Sequence, residues 1–370
     1  MATTRGRSRR PTTDQTIPTG FPPVRIVSGA AFELAAELAA FASGPARASL
    51  ESGKTWIREV RALAGPDLIR RVEHWAFGLY GELASFALET GAPHDLQQLV
   101  DAIRTTPPDV LRRRLLGAES AQNRAMVSDG AFDRGLAGDE SARAELRVAL
   151  GLNRPARLGV DRLLATSSEA VQREVADIVE EWAWRVFPAF AANALAIIAR
   201  DAETKERLLE ASPARDVLRI STNGVEFEPP DWVTDIVIVP TVALRPFLAP
   251  VEFGTTEIFL CSVGDEAFDD DPAAPPRRLV KLAAALGDER RLRILHALGD
   301  GELTASEIAD RLGVERTSLH HHLGILRSAG LVTIHDDGVR GWRFARRPEG
   351  AGDVGTALTD YLGSPGAPRR

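Results

Sequence analysis

The sequence has a single cysteine, Cys261, and no long apolar run. One thiol cannot form an internal disulfide and cannot build a thiolate metal site alone, which suits a reducing compartment. Every apolar stretch is shorter than about 18 residues, and no apolar run follows the basic residues near the N-terminus, so neither a membrane span nor a signal peptide is predicted. A cytoplasmic location is therefore expected.

Aromatic residues are also sparse, at 6%. We expect the tryptophans at 56, 75, 182 and 184 to belong to the hydrophobic core rather than to an aromatic ligand cage. The first 264 residues contain no nucleophile elbow, no phosphate-binding loop and no His/carboxylate pair at metal-ligand spacing. The sequence thus predicts no catalytic residue, no cofactor and no metal ion.

What the chain does have is the composition of a globular protein, 44% hydrophobic and 26% charged, over 370 residues. That length favours two or three domains. We predict a mainly α protein with small antiparallel β elements, divided as follows: a disordered basic arm at 1–23, a mostly helical domain ending in a β-hairpin or sheet at 24–264, an acidic Pro-rich linker at 265–276, a compact module at 277–347, and a flexible tail with a short helix at 348–370.

The periodicity of apolar residues supports this division. From Ala30 to Arg207 they recur at helical spacing, and Gly and Pro residues punctuate the run. Beyond Pro213 the spacing changes to two, and Val217–Ser221 and Val225–Glu228 flank an Asn-Gly pair that favours a tight turn. We therefore predict a β-hairpin at 217–228.

Charge is distributed unevenly along the chain. The segment 277–347 contains thirteen Lys and Arg against nine Asp and Glu, a net charge of +4, whereas the whole chain carries −7 and the remainder therefore −11. Because charges more than about 10 Å apart are largely screened at physiological salt, an acidic body does not prevent a basic module from binding phosphates.

Two helices and a short turn are predicted inside this module. Thr304 and Glu307 have the spacing of a capping box at the start of a helix, and Gly313 can adopt the left-handed conformation that ends it. A second helix begins near Glu315. A further helix before this pair, at about 289–298, is expected to bury Leu292, Leu295 and Leu298. Two helices joined by so short a connection form a helix-turn-helix.

The second helix repeats leucine at 319, 323 and 326, so this face must point to the core. Side chains on the opposite edge are then free to contact base edges and phosphates: Arg316, Thr317, His320 and His321, with Ser318 nearer the boundary. Two strands, Leu331–His335 and Arg340–Ala345, follow as a wing in which Ile334, Trp342 and Phe344 pack inward. Arg340 and Arg343 are the phosphate contacts predicted there.

Three consecutive histidines, 320 to 322, also suggest a metal site. Neighbouring helical residues point about 100° apart and cannot converge on one ion, so this interpretation is not favoured.

The arginines at 5, 7, 9 and 10 fit a solubility tail better than an arm that enters the minor groove. For Arg316, Arg340 and Arg343, solvated surface charge without a role in binding remains the alternative.

The run LAAALGDERRLRILHALGDGELTASEIADRLGVERTSLHHHLGILRSAGLV resembles winged-helix regulators of the ArsR/SmtB family, and the resemblance covers about 70 of the 370 residues. It implies a homodimer that binds double-stranded operator DNA, represses transcription and releases DNA when an effector binds, and it makes His322 a packing residue. The N-terminal region is similar to the extension of some actinobacterial regulators of this type.

Two departures from the family pattern matter. The segment GELTASEIADR lacks the cysteines with which many members sense metals, so metal sensing is not expected. Glu315 stands where the family usually has Ser, which is a better helix cap and does not repel phosphate.

The leading hypothesis is a sequence-specific DNA-binding repressor whose body senses a small-molecule effector or mediates oligomerisation. Two alternatives remain open. The body could be an enzyme with an attached DNA-binding module, because helical folds can assemble active sites from scattered residues. The winged helix could instead serve only as a protein-interaction module.

Overall fold

The computed structural model describes residues 20–43, 47, 50–75, 79–151, 154–268, 274–336, 342–347 and 350–363. Most of the predicted basic arm lies outside these residues, as does Arg340. The middle of the predicted linker, 269–273, and the end of the tail, 364–370, also lie outside them.

Helices make up most of the body. In chain order they are α1 (Ala30–Ala42), α2 (Gly53–His74), α3 (Leu79–Glu89), α4 (Leu96–Thr105), α5 (Pro108–Leu115), α6 (Ala121–Ala125), α7 (Ala131–Leu136), α8 (Glu140–Leu150), α9 (Arg154–Ala165), α10 (Ser168–Arg185), α11 (Pro188–Ala211) and α12 (Ala214–Ser221). The prediction of a mainly helical protein is confirmed.

Helix α1 lies at the centre of the body and is buried on nearly all sides. A helix that is buried all round needs partners all round, and α2, α3, α4, α11 and a β-strand at 235–241 supply them, together with Trp182 of α10. Its buried Glu37 accepts a hydrogen bond of 3.0 Å from the indole Nε1 of Trp182, a residue of α10 that is fully buried. Trp182 is therefore a core residue, as predicted, whereas Trp184 is 54% exposed.

A four-stranded sheet packs against these helices. Its order is β1 (Val24–Ile26), β3 (Asp235–Thr241), β5 (Thr256–Ser262) and β4 (Ala249–Phe253). β1, β3 and β5 are parallel, and only β4 and β5 form an antiparallel pair. β3 and β5 are apolar and buried on both faces, which is typical of parallel strands. The sheet is therefore mixed, whereas the sequence predicted antiparallel elements alone.

The C-terminal module has the elements predicted for a winged helix. They are α13 (Arg277–Leu286), α14 (Glu289–Ala297), β6 (Leu303–Thr304), α15 (Ala305–Leu312), α16 (Arg316–Ser328), β7 (Val332–Asp336), β8 (Arg343–Arg346) and α17 (Gly350–Gly363). Ile334 and Phe344 are buried and Trp342 is half-buried, as predicted. Leu292, expected in the core, is 48% exposed, and Ile294 is buried in its place.

The module's sheet includes a strand from the body. Its order is β2 (Val225–Phe227), β7, β8 and β6, and β2 runs parallel to β7 with Val225 opposite Ile334. One apolar core lies beneath this sheet and is built from both parts of the chain: Leu218, Phe227 and Phe259 of the body share it with the buried leucines of the winged helix. The body and the winged helix are thus packed as one unit along this core.

The predicted hairpin at 217–228 is wrong in its first half. Residues 217–221 belong to the amphipathic helix α12, which buries Val217 and Leu218. The turn itself adopts the predicted backbone, with φ of 55° at Asn223 and 98° at Gly224. It joins a helix to a strand, because β2 pairs with β7, more than one hundred residues further on.

The predicted linker begins with ordered contacts. Residues Asp265–Ala267 form a turn of 3₁₀ helix, and the Asp265 carboxylate bonds Arg245 Nη2 at 2.6 Å and Lys281 Nζ at 2.7 Å. Burial opposes ionisation of Asp265, but these two cations outweigh it and lower its pKa. This part of the linker therefore joins the body to α13. The division into domains stays a prediction.

Cys261 lies buried in β5, where burial raises its pKa to about 12, in keeping with the inert thiol predicted.

Among the helices described, none is both long and apolar enough to cross a membrane by itself. The pair α10 and α11, bent by 82°, passes the same test of length and composition when taken together.

Replacing Leu218 with alanine should lower the free energy of unfolding by about 2–5 kcal/mol, because this side chain is fully buried in the shared core. Urea unfolding followed by circular dichroism and by tryptophan fluorescence should show a single transition. The matched control is Ile220→Ala on the same helix, where the side chain is 52% exposed and the change should stay below about 0.5 kcal/mol. Two transitions, with only the earlier one shifted, would contradict a core common to both parts.

Candidate nucleic-acid interface

Local hydrogen bonds define the helix-turn-helix as predicted. Thr304 Oγ1 accepts from the backbone N–H of Glu307 at 3.2 Å, and the Glu307 carboxylate accepts from the backbone N–H of Thr304 at 2.7 Å. Gly313 ends α15 with a φ of 65°, and α16 begins three residues later. This turn determines the angle at which α16 leaves α15.

Three leucines anchor α16. Leu319, Leu323 and Leu326 are at most 2% exposed and pack in the shared core. Glu315 precedes the helix and makes no side-chain capping bond, so the first backbone N–H groups of α16 keep their hydrogen-bonding capacity. A helix N-terminus with unused N–H groups favours an anion.

The predicted contact residues lie along the first half of α16. Arg316 and Thr317 form its first turn, and the structure describes their backbone only. Ser318 is half-buried and His320 is exposed. The backbone therefore places four of the predicted residues in the first half of the same helix.

His321 differs from its prediction as an outward-facing residue. It is half-buried, its ring lies 5.3 Å from that of the buried His322, and its Nδ1 has no hydrogen-bond partner within the described structure. Burial, reinforced by the nearby Arg291, lowers the pKa of His321, although Asp288 opposes this. The uncharged form of the His321 ring is therefore favoured, and Asp288 and Arg291 at the start of α14 lie close enough to influence it. The packing role of His322 agrees with its burial.

The wing contains a second departure. Arg343 lies in β8 and its side chain is 42% exposed, yet its Nη2 donates to the Glu302 carbonyl at 2.8 Å. The carboxylates of Glu302 and Glu307 lie 3.6 Å and 4.0 Å from the guanidinium. A DNA phosphate would have to compete with these carboxylates for Arg343. Arg340, its predicted partner, lies outside the described residues.

Sequence reasoning missed an acidic group beside the wing. His335 of β7 lies 3.1 Å from Glu302, 3.7 Å from Glu228 and 3.9 Å from Glu226. Burial opposes protonation of His335, but these three carboxylates outweigh it and raise its pKa. Glu226 and Glu228 come from β2 and its end, so only the pairing of β2 with β7 places them there.

The body also holds the second half of α16, which the sequence did not predict. Arg327 is buried, and its guanidinium donates to the carbonyls of Thr222 and Pro246, the latter at 2.6 Å. Burial lowers its pKa to about 10. At Gly324 a Cβ would lie 2.4 Å from Cε1 of Phe247, so only glycine allows the body to approach so closely. One end of α16 is exposed and the other is fixed to the body.

Helices α13 and α17 pack against each other, and each keeps apolar side chains exposed. Val280 of α13 is 49% exposed, and on α17 Leu358, Tyr361 and Leu362 are 46%, 41% and 72% exposed. We call these four residues the α13/α17 face. It lies on the same module as the helix-turn-helix.

A family model described as a helix-turn-helix domain matches residues 286–335, which include α14, α15 and α16. The chain is 37% identical over 54 residues to the transcriptional repressor SdpR of Bacillus subtilis, covering 15% of this chain and 60% of SdpR. It is 44% identical over 55 residues to the transcriptional activator HlyU of Vibrio cholerae, covering 15% of this chain and 51% of HlyU. The chain thus spans between half and three fifths of these two relatives.

A third relative is matched over more of its length. The HTH-type transcriptional regulator MJ1325 of Methanocaldococcus jannaschii is 34% identical over 68 residues, covering 18% of this chain and 74% of MJ1325. The region matched by the family model contains the capped helix α15, the left-handed Gly313 and helix α16. The chain therefore belongs to the winged helix-turn-helix transcriptional regulators of the ArsR/SmtB type.

Proposed function

We propose that the protein is a cytoplasmic regulator that binds double-stranded operator DNA through α16 and the wing. The observation that carries this proposal is the division of α16: its core face is locked by three buried leucines, while Glu315 just before the helix and His320 in its first half are exposed. A helix presented in this way can lie in the major groove with the wing against the adjacent backbone.

The residues of this surface differ in role. Arg316, Thr317, Ser318 and His320 are suited to base edges and nearby phosphates, because all four have polar side chains and belong to the first half of α16. We keep His321 in this set as a hydrogen-bonding group without charge, since its pKa is lowered by burial. In the wing, Arg340 and Arg343 would contact phosphates, Arg343 after exchanging Glu302 for DNA.

We further propose that two copies associate through the α13/α17 face. A homodimer needs a surface that is complementary to itself, and exposed apolar side chains on two packed helices provide one. Each copy would then present one α16, and two such helices read half-sites about one helical turn apart.

The body is proposed to sense an effector rather than to catalyse a reaction. This is supported by its contacts, since Thr222, Pro246 and Phe247 hold α16 directly. A ligand that favours one arrangement of the body would thereby change the orientation of α16. We propose that DNA binding represses transcription, because repression follows from the family resemblance. Expression of a reporter gene placed behind the operator should fall when the protein is produced in the same cells.

Arg316→Ala should weaken binding to the selected operator by about 1–3 kcal/mol and relax preference at one base position, because a bidentate contact to a base would be lost. Operators would first be selected from random DNA, and affinities measured by fluorescence anisotropy. Arg58→Ala, at an exposed position on α2, is the matched control and should leave binding unchanged. Equal losses on operator and on random DNA would contradict base recognition by Arg316.

Arg340→Ala should weaken binding to every sequence alike and reduce the salt slope of log K by about one, as expected for one phosphate contact. A salt titration on operator and on random DNA measures both effects. An unchanged slope, or a loss confined to the operator, would contradict a phosphate role for this residue.

Leu362→Glu should convert the dimer to a monomer, because it places a charge in the proposed apolar interface. The monomer should remain folded, since the side chain is 72% exposed. Sedimentation velocity measures the mass, and Val148→Glu, an 81% exposed position on α8, is the control. A chain that sediments as a monomer before substitution, or a dimer unaffected by Leu362→Glu, would contradict this interface.

A further inference from the structure

A cavity of about 400 Å³ lies between the body and the wing. Its walls come from α3, from the start of α6, from β4 and β5, and from the wing, which contributes Asp336 and Trp342. Cavities that hold small molecules in proteins have volumes of about 300–1,000 Å³. This cavity is therefore large enough for a small organic ligand and reaches from the helical body to the base of the wing.

All the charged side chains that line the cavity are acidic. They are Glu82, Glu252, Glu257 and Asp336, and no Lys, Arg or His of the described chain lies in the wall. Two of them already have donors: Glu252 accepts from Ser120 Oγ and from the backbone at the start of α6, and Asp336 accepts from Trp342 Nε1 at 2.7 Å. Four carboxyl groups around one space favour a cationic occupant.

The other two carboxyl groups lack such donors. Glu257 is only 9% exposed, and its raised pKa comes from burial and from the nearby Glu252 and Asp336, with no hydrogen bond from a described residue to lower it. The Oε2 atom of Glu82 is buried and also has no partner there, and the same holds for Nε1 of Trp232. Buried polar atoms are nearly always hydrogen-bonded in native proteins. Groups that line a cavity without partners are therefore suited to bonding a ligand.

The remaining wall is largely apolar and aromatic. Phe227, Trp232 and Trp342 line it, and aromatic faces attract organic cations as well as apolar groups. The acidic groups are spread along the cavity, and among the described residues no three His, Cys, Asp or Glu side chains are grouped to hold a metal ion. The lining thus favours a molecule with both an ammonium group and an apolar body.

We propose that this cavity is the effector site of the regulator and that it binds a small organic ammonium compound with an aromatic or aliphatic body. Its ammonium group donates to Glu257, and its apolar part packs between Trp232 and Trp342. The inference deepens the proposed sensor role of the body and rests on it for the link to DNA. The binding itself does not depend on DNA.

The position of the cavity explains how binding would reach the wing. Asp336 ends β7 and Trp342 immediately precedes β8, so these residues flank the two ends of the wing's connection. A ligand held between the carboxyl groups of the body and these two side chains joins the wing to the body. Its affinity then differs between arrangements of the wing, which is the requirement for allosteric control.

Proton release is a signature of this site. Burial raises the pKa of both Glu82 and Glu257 to about 8; Glu119 adds to the effect at Glu82 and Arg114 opposes it, whereas Glu252 and Asp336 add to it at Glu257. Without a bound cation both groups are therefore protonated at neutral pH, and binding of an ammonium group by Glu257 requires that carboxyl group to ionise. The apparent association constant should rise between about pH 6 and about pH 8 and then level off.

Isothermal titration calorimetry of the full chain tests the site, with 2-phenylethylamine and tryptamine as probes. We expect at least one to bind, and its neutral or uncharged analogue, such as 2-phenylethanol for 2-phenylethylamine, to bind about tenfold more weakly or worse. Titration in two buffers of different ionisation enthalpy should reveal proton release. This comparison of ligands needs no variant and so does not depend on a variant folding.

Glu257→Gln should weaken binding of the probe by about tenfold or more, because it keeps the shape of the protonated side chain and removes the charge that develops on binding. Glu37→Gln is the matched control: Glu37 is 2% exposed and also has a raised pKa, but it lies outside the cavity wall and should leave binding unchanged.

Four results would overturn the proposal: no binding of any probe at about 10 mM, equal binding of amine and alcohol, unchanged affinity in Glu257→Gln, or tight binding of Mg²⁺ or Ca²⁺ in place of the amines. A chain that binds the amine normally but no DNA would refute the proposed regulator function and leave the ammonium site intact. The two failures are therefore distinguishable.

Discussion

The orientation of α16 depends on a hydrophobic core to which both parts of the chain contribute. Leu319, Leu323 and Leu326 would fix the helix in any winged helix, but here they pack in one cluster with Leu218 and Phe227 of the body. Strand β2 extends this association to the backbone, because it adds hydrogen bonds along β7. The exposed edge of α16 is thus presented by a core that the winged helix does not complete alone.

Electrostatics around this surface favour selectivity over general affinity for phosphate. The wing's Arg343 already lies beside Glu302 and Glu307, and Glu226 and Glu228 of the body stand close to His335. A basic side chain that must first separate from such carboxylates gains less free energy on binding DNA than a solvated side chain would. In the proposed DNA complex, contacts that depend on shape and hydrogen bonding at the end of α16 would therefore contribute more than the modest positive charge of the module.

Much of the helix-turn-helix could be predicted because its determinants are local. A capping box links residues three apart, Gly313 needs only its own backbone conformation, and the leucine repeat follows from the helical period. The same local reasoning failed at 217–221, where helix α12 and the Asn-Gly turn imitate half of a hairpin. Apolar residues at positions 217 and 218, followed by 220, fit either period over so short a run.

Long-range features could not be obtained from the sequence in this way. The pairing of Val225 with Ile334 joins segments more than one hundred residues apart, and the burial of His321 depends on the approach of α14. The acidic cavity shows the same limitation, because Glu82, Glu257 and Asp336 converge only after α3, β5 and β7 are packed. Residue types indicated which side chains could bind a ligand. Which of these side chains lie close together depends on the packing of segments that are distant in the chain.

Strand β2 also covers the outer edge of β7, where backbone N–H and C=O groups would otherwise face solvent. A winged helix cut away from its body would carry that edge open, together with a partly uncovered apolar core. Such an edge attracts strands from other chains. The winged helix of this protein is consequently not an independent folding unit. If it were fused to another regulator, the fusion would also have to include the three residues of β2 to keep the edge of β7 paired.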